Sequence, residues 1–375
     1  MRIAIVHSFY RSNSPSGENY AVLAQAELLE NHGHEVRIFG VQSDSMTKLQ
    51  KFKTPWNVSF FRGQSFESEV RSFNPDIIHV HNLFPNIGYH WLTKVHAPVV
   101  ATFHNFRPFC ANGLLMRDGE DCNDCILLGS FSSITNSCYR DSKIKTIPLI
   151  VSSRAKGKHN PLFKSASAFI VLSENSQKTY KTAISDPSTI HIIQNFATRV
   201  EVPIQLKNSD YWLYVGRLSK EKGIVELLQV WPENEILHIY GSGDLESELK
   251  EKYKSRAEIK FLGFLTEPEK IRAFASCIAL VFPSTCKETS PLVMSEAFSF
   301  GKPILAFRGN VVGEIVENYG GGIAFSSFEA MPHSLKRLKL DLEMLEIEAI
   351  NNFNSKFSPE IWISKTEAVY KSVRK

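Results

Sequence analysis

Apolar residues along this chain fall into short β-branched runs separated by stretches of helical spacing and by polar loops. The runs at 2–6, 35–39, 77–80 and 99–103 read as strands. Between the first two, a helix over about 19–31 would bury Ala21, Ala24, Leu28 and Leu29, with Gly33 as its stop. A second series has strands at 211–215, 236–240, 259–262, 278–282 and 304–307, with helices ending near 231 and 253, one over 268–276, and a last one over 359–373. Short buried runs alternating with helices predict two parallel sheets, each covered by helices on both faces. In such a fold ligands sit outside the carboxyl ends of the strands. The loops at 7–18, 81–82 and 104–105 therefore point toward one crevice. Residues 194–210 are polar, carry Pro203 and lack periodicity, which predicts a linker between the two halves.

With 375 residues, 43% hydrophobic and 22% charged, the chain suits two ordinary soluble domains. No apolar run reaches the ~18 residues of a membrane span, and the opening apolar run is too short for a signal peptide, so a cytoplasmic protein is expected. The net charge of +4 does not point to nucleic acid. Between Arg140 and Lys181 nine Lys or Arg face only Asp141 and Glu174, a balance of 9 − 2 = +7. Such a stretch fits either an ordinary solvated surface or one facing anionic lipid or a phosphorylated acceptor.

The most informative stretch is VFPSTCKETSPLVMSEAFSFGKP, residues 281–303. It reads as a strand, a polar loop and a helix that begins near Ser290–Pro291 and stops before Gly301. The free N–H groups of Ser290, Leu292 and Val293 would form an anion site, with Glu288 and Glu296 on either side to take hydroxyl groups. Upstream, Gly216-Arg217 follows a strand and Lys222-Gly223 opens a helix. Two fixed cations at that point can neutralise a diphosphate. The first strand runs into HSFYRSNSPSG, which holds no G-x-G-x-x-G, so a nicotinamide oxidoreductase is disfavoured.

Glu288, seven residues, Glu296, then Ala297, Gly301 and Pro303 resemble the E-x7-E signature of retaining glycosyltransferases of family 4. The resemblance spans nearly the whole chain. It implies the GT-B fold, an α/β architecture of two Rossmann-like domains with a cleft between them. An acceptor-side domain would cover 1–196 and a nucleotide-sugar domain 197–356, with the helix in 357–375 packing back on the first. A nucleoside-diphosphate sugar would be the donor. Its contacts would be Gly17, Gly216, Arg217, Lys222, Gly241, Phe264, Glu288, Thr289, Ser290, Pro291, Leu292 and Glu296, with Arg217 and Lys222 at the diphosphate. His81, Asn82 and His104 would face the acceptor. Catalysis would rest on His104, Arg217, Lys222 and Glu288 and require no metal. The reaction implied is transfer of a hexose-type sugar to an acceptor hydroxyl, on a glycan or a lipid-linked oligosaccharide of bacterial surface polysaccharide, with peripheral attachment to anionic membrane. A sugar-nucleotide epimerase or hydrolase of the same fold, or a non-catalytic nucleotide-sugar binder, would carry many of the same residues.

Cys110, Cys122, Cys125 and Cys138 lie in one segment, the middle two as C-x-x-C. They suit structural Zn2+ ligands, reduced thiols of a loop, or a redox pair. A subset of family 4 resembles this chain here too, with a cysteine-bearing insertion after the histidine loop.

Overall fold

The computed structural model describes residues 1–10, 16–155, 157–200 and 210–374. The chain divides into two compact units: Met1–Arg117, Asp121–Gln194 and Ile363–Lys375 form the first, and Asp118–Glu120 with Asn195–Trp362 the second. Most of the expected linker, 201–209, lies outside the described residues.

The first unit holds β1 (Arg2–Phe9), β2 (Glu35–Gln42), β3 (Ile77–Val80), β4 (Val99–Phe103), β5 (Ala168–Val171) and β6 (Ile190–Ile192). They pair in parallel in the order β2-β1-β3-β4-β5-β6. Every residue of β3, β4 and β5 is buried, which is why their sequences are apolar rather than alternating, save for His79 and Thr102, whose polar atoms meet each other. The helix α1 (Gly17–Asn31) begins two residues earlier than its spacing predicts, because the Ser16 side chain caps it by accepting from the Asn19 N–H. Its buried face is Ala21, Val22, Gln25, Ala26 and Leu29, so Ala24 and Leu28 are off the core face, and Leu23 is exposed. Apolar residues on several sides of this helix left its orientation ambiguous in sequence. Two further helices, α2 (Lys48–Ser59) and α3 (Lys143–Ser152), pack against one another.

The second unit holds β7 (Tyr211–Val215), β8 (Ile236–Tyr240), β9 (Ile259–Gly263), β10 (Leu280–Phe282), β11 (Ile304–Phe307) and β12 (Gly322–Phe325), again parallel, in the order β9-β8-β7-β10-β11-β12. In β7 Trp212 and Tyr214 join one core and Leu213 the other, so the sheet is buried on both sides. The helix α4 (Leu292–Ser299) follows β10, and α5 (Val311–Tyr319) follows β11. The last helix, α6 (Pro359–Val373), belongs to the first unit from Ile363 onward. There the Tyr370 hydroxyl, fully buried, lies 2.6 Å from His79 Nδ1.

Candidate functional site

In the second unit the strand order reverses between β7 and β10, the place where doubly wound sheets open a crevice at their carboxyl ends. The loop after β7 carries Gly216, Arg217 and Lys222, and the loop after β10 carries Glu288 to Leu292. Backbone holds these loops together. The Thr285 N–H donates to the Glu221 carbonyl at 3.1 Å, and Ser284 Oγ donates to the same oxygen at 3.4 Å. The loop after β8 approaches as closely: Leu218 N–H donates to Ser242 O at 3.0 Å. A Cβ on Gly241, at φ +140°, would lie 1.9 Å from Gly216 O. Gly241 therefore serves first to let main chain meet main chain.

On this frame Lys222 Nζ donates to Glu288 Oε1 in a short ion pair, and the same oxygen accepts from Ser284 Oγ at 3.2 Å and Cys286 Sγ at 3.5 Å. Burial would push the Glu288 carboxyl up, but the Lys222 ammonium outweighs it and holds the group below its ordinary value. Burial opposes charge on Lys222 as well, and the Glu288 carboxylate more than reverses that. Burial first, then Glu288, pushes the Cys286 thiol up to about 12, leaving a neutral packing group rather than a nucleophile. Sequence reasoning missed Asn310. Its Nδ2 donates to Ser284 O at 2.6 Å while its Oδ1 caps α5 through the Val312 and Gly313 N–H groups. An Asn just before a helix, directly after a strand, was the available signal.

The start of α4 differs from expectation by one position. Pro291 is its cap, not its first helical residue, and no side chain bonds the first turn. Ser290 is engaged elsewhere: Oγ accepts from the Asn195 N–H at 3.0 Å and its carbonyl from Asn195 Nδ2 at 2.8 Å. The Leu292 and Val293 N–H groups, in the first turn, have no intrahelical acceptor. Glu296, on α4, pairs with Lys270 Nζ at 2.9 Å, a partner the sequence did not suggest. Arg217 is largely exposed, 3.9 Å from Glu221. Phe264 is exposed just beyond β9. Lys222 and Glu288 thus meet directly, Arg217 shares the Lys222 loop, and Thr289 to Leu292 continue the Glu288 loop into α4.

In the first unit the strand order reverses between β1 and β3. His81 and Asn82 follow β3, His104 follows β4, and all three line a cavity of about 60 Å³, room for a few waters, together with Glu18, Tyr89 and Arg107. His81 Nδ1 lies 3.0 Å from His104 Nε2, and the rings stack at 5.3 Å. His81 Nε2 is buried without a hydrogen-bond partner among the described residues. His79 is structural: its second nitrogen lies 2.7 Å from Thr102 Oγ1. Glu18 was read in sequence only as the end of the loop at 7–18. Burial pushes its carboxyl up to about 7 against Arg107, Tyr10 and Asn82, and its Oε1 has no partner among the described residues. Gly17 is not in a loop at all but in the first turn of α1, and residues 11–15 before it lie outside the described residues.

Burial, then the neighbouring thiols of Cys110, Cys138 and Cys122, push the Cys125 thiol up to about 12. Cys110 Sγ donates to Asn112 Oδ1 at 2.9 Å. Among the described residues no group of three or more His, Cys, Asp or Glu side chains is placed to hold a metal ion, so the zinc reading of Cys110, Cys122, Cys125 and Cys138 finds no ligand geometry here.

Comparison with known proteins agrees with this layout. The model described as Glycosyltransferase Family 4 matches residues 15–198, and the one described as Glycosyl transferases group 1 matches 199–347. The O-antigen chain mannosyltransferase C of Escherichia coli is 27% identical over 31% of this chain and 32% of its own length. The sulfoquinovosyl transferase SQD2 of Arabidopsis thaliana is 24% identical over 91% of this chain. The chain thus spans about a third of the first relative and 64% of the second. Among solved structures, sucrose-phosphate synthase from Thermosynechococcus elongatus superposes with a TM-score of 0.69 at 14% identity, covering 99% of this chain and 98% of that one. Anabaena HepE, solved with UDP and glucose, gives 0.63 at 16% identity over 99% of this chain and all of its own. Two α/β units with parallel sheets, these matches and the two family models place the chain in family 4 of the glycosyltransferases, with the GT-B fold.

Proposed function

We propose that this glycosyltransferase moves a hexose-type sugar from a nucleoside diphosphate to an acceptor hydroxyl with retention at the anomeric carbon. The observation carrying this reading is the Lys222–Glu288 pair at the strand-order reversal, beside Arg217 and the uncapped start of α4. Arg217, Lys222 and the Leu292 and Val293 N–H groups would hold the diphosphate, supplying the positive charge a metal would otherwise provide. Glu288 would accept from sugar hydroxyls and Glu296 from the ribose. Cys286 is a neutral thiol and Glu288 is tied to Lys222, so neither suits a double displacement. The bond from the anomeric carbon to the phosphate oxygen breaks as the acceptor oxygen bonds on the same face, and the departing oxygen takes the acceptor proton. His81, Asn82 and His104 would position the acceptor. UDP in HepE, and UDP with GlcNAc in the pneumococcal O-GlcNAc transferase GtfA, support a uridine donor. The mannosyltransferase relative and the fold match to the lipopolysaccharide outer core galactosyltransferase WaaB support a lipid-linked surface polysaccharide acceptor. That acceptor implies work at the inner face of the cell membrane, in peripheral contact with anionic lipid.

The test is transfer from UDP- and GDP-hexoses to lipid-linked oligosaccharide extract, with product anomers read by NMR and EDTA present throughout. Retained configuration is expected, and Arg217→Ala should lower kcat by about 10²–10³ with unchanged Tm. Donor turnover without acceptor would point to an epimerase or hydrolase instead, and binding without turnover to a non-catalytic protein.

A further inference from the structure

The helix α2 has no buried residue. Its capping box, Thr47 with Gln50, stabilises it locally, and it touches α3, where Ser59 Oγ donates to Pro148 O at 3.5 Å. Leu49, Phe52, Trp56 and Phe60 are all exposed, Phe52 by 84%. At 100° per residue these four positions fall within an arc of about 80°, so the stripe that should face a core faces solvent. The neighbouring elements continue it. On α3 Ile144 is 80% exposed and Ile147 half exposed, and Leu127, Leu128 and Phe131, which lead into the short helix Ser132–Thr135 that packs on α3, are exposed as well. An unpartnered apolar surface on this scale marks an interaction site.

The charge around it selects the partner. The two helices carry Lys48, Lys51, Lys53, Lys143 and Lys145 and no acid. A second copy docked face to face would oppose these lysines to themselves. An anionic bilayer answers both features: acyl chains take the Leu, Ile and Phe side chains, Trp56 sits at the headgroup level, and lysines meet the phosphates. We infer that α2, α3 and the adjoining 127–131 segment form a seat by which the first unit docks on an anionic lipid surface. No helix among the described residues is long and apolar enough to cross a membrane, so the seat lies on the surface. This gives a location to the membrane contact proposed above, but its test reads vesicle binding and needs no turnover.

The chain supplies its own probe. Of its five tryptophans, Trp91, Trp212, Trp231 and Trp362 are buried and only Trp56 is exposed. Full-length protein is mixed with phosphatidylcholine vesicles containing phosphatidylglycerol, and sedimentation and tryptophan emission are followed. Binding with a blue shift is expected, weakening with salt and on purely zwitterionic vesicles. Trp56→Phe should bind with the shift abolished. Phe52→Ser with Ile144→Ser should bind at least about tenfold more weakly at unchanged Tm. Equal binding by that double variant, or no shift in emission, overturns the seat. So does a dimer in light scattering that the double variant abolishes, since the face would then belong to a second copy.

Discussion

Lys222 and Glu288 cannot be judged separately, because each side chain is mostly withdrawn from water and each sets the other's charge. Removing one leaves the other buried and unpaired, which is costlier than removing both. Lys222→Met should lower stability by about 2 kcal/mol, allowing for partial exposure, whereas Lys222→Met with Glu288→Leu should be more stable than either single variant. Urea unfolding of the four proteins tests this, and additive losses would refute the coupling. Both residues were legible as chemistry in the sequence, since a lysine opening a helix after a strand and a carboxylate in a βα loop are position signals. That the two meet was not, because it depends on a contact 66 residues apart in the chain. Lys270 and Asn195 were invisible for the same reason, their partners lying 26 and 95 residues away.

At the scale of elements, the loop that carries Glu288 is fastened by the cap of α5, the third element after it. Asn310→Ala should cost about 1–2 kcal/mol for the lost cap, and more than a surface cap because it also releases Ser284 O. Thermal melting measures the first part. Donor affinity by calorimetry measures the second, and an unchanged affinity would show that Asn310 does not hold the loop. Five-residue strands rich in apolar residues, such as β4, buried throughout, and β7 and β8, buried in part, read directly from sequence. The strands β5, β6 and β12 escaped: β6 has three residues, β12 opens on Gly322, and β5 follows a long run of short helices that dilutes the alternation. The α4 cap shifted because Ser290 found a better partner in Asn195 than in its own helix.

For the molecule as a whole, acid is the expected weakness. Burial holds His7 at about 4, His79 and His104 at about 3, and His81 well below its ordinary value. As pH falls below 6.5 the unfolded chain takes up protons that the folded chain refuses, so stability drops until those lower values are reached. Glu18 acts in the opposite sense, since its folded form binds a proton between about 7 and 4.5. Four groups outweigh one, and Tm should be about 5–10 °C lower at pH 5 than at pH 7.5. Scanning calorimetry would register this, and a flat profile between those values would mean the histidines are charged in the fold.

The small region from Ile363 to the end completes a core begun at Arg2: Tyr370 meets His79, Glu367 meets His34 and Arg374 meets Asp76. A ribosome releasing this polypeptide therefore emits the amino-terminal unit long before the piece that seals it. Until residue 370 has emerged, that unit must wait with an open seam along His79, while the later-made unit can already close.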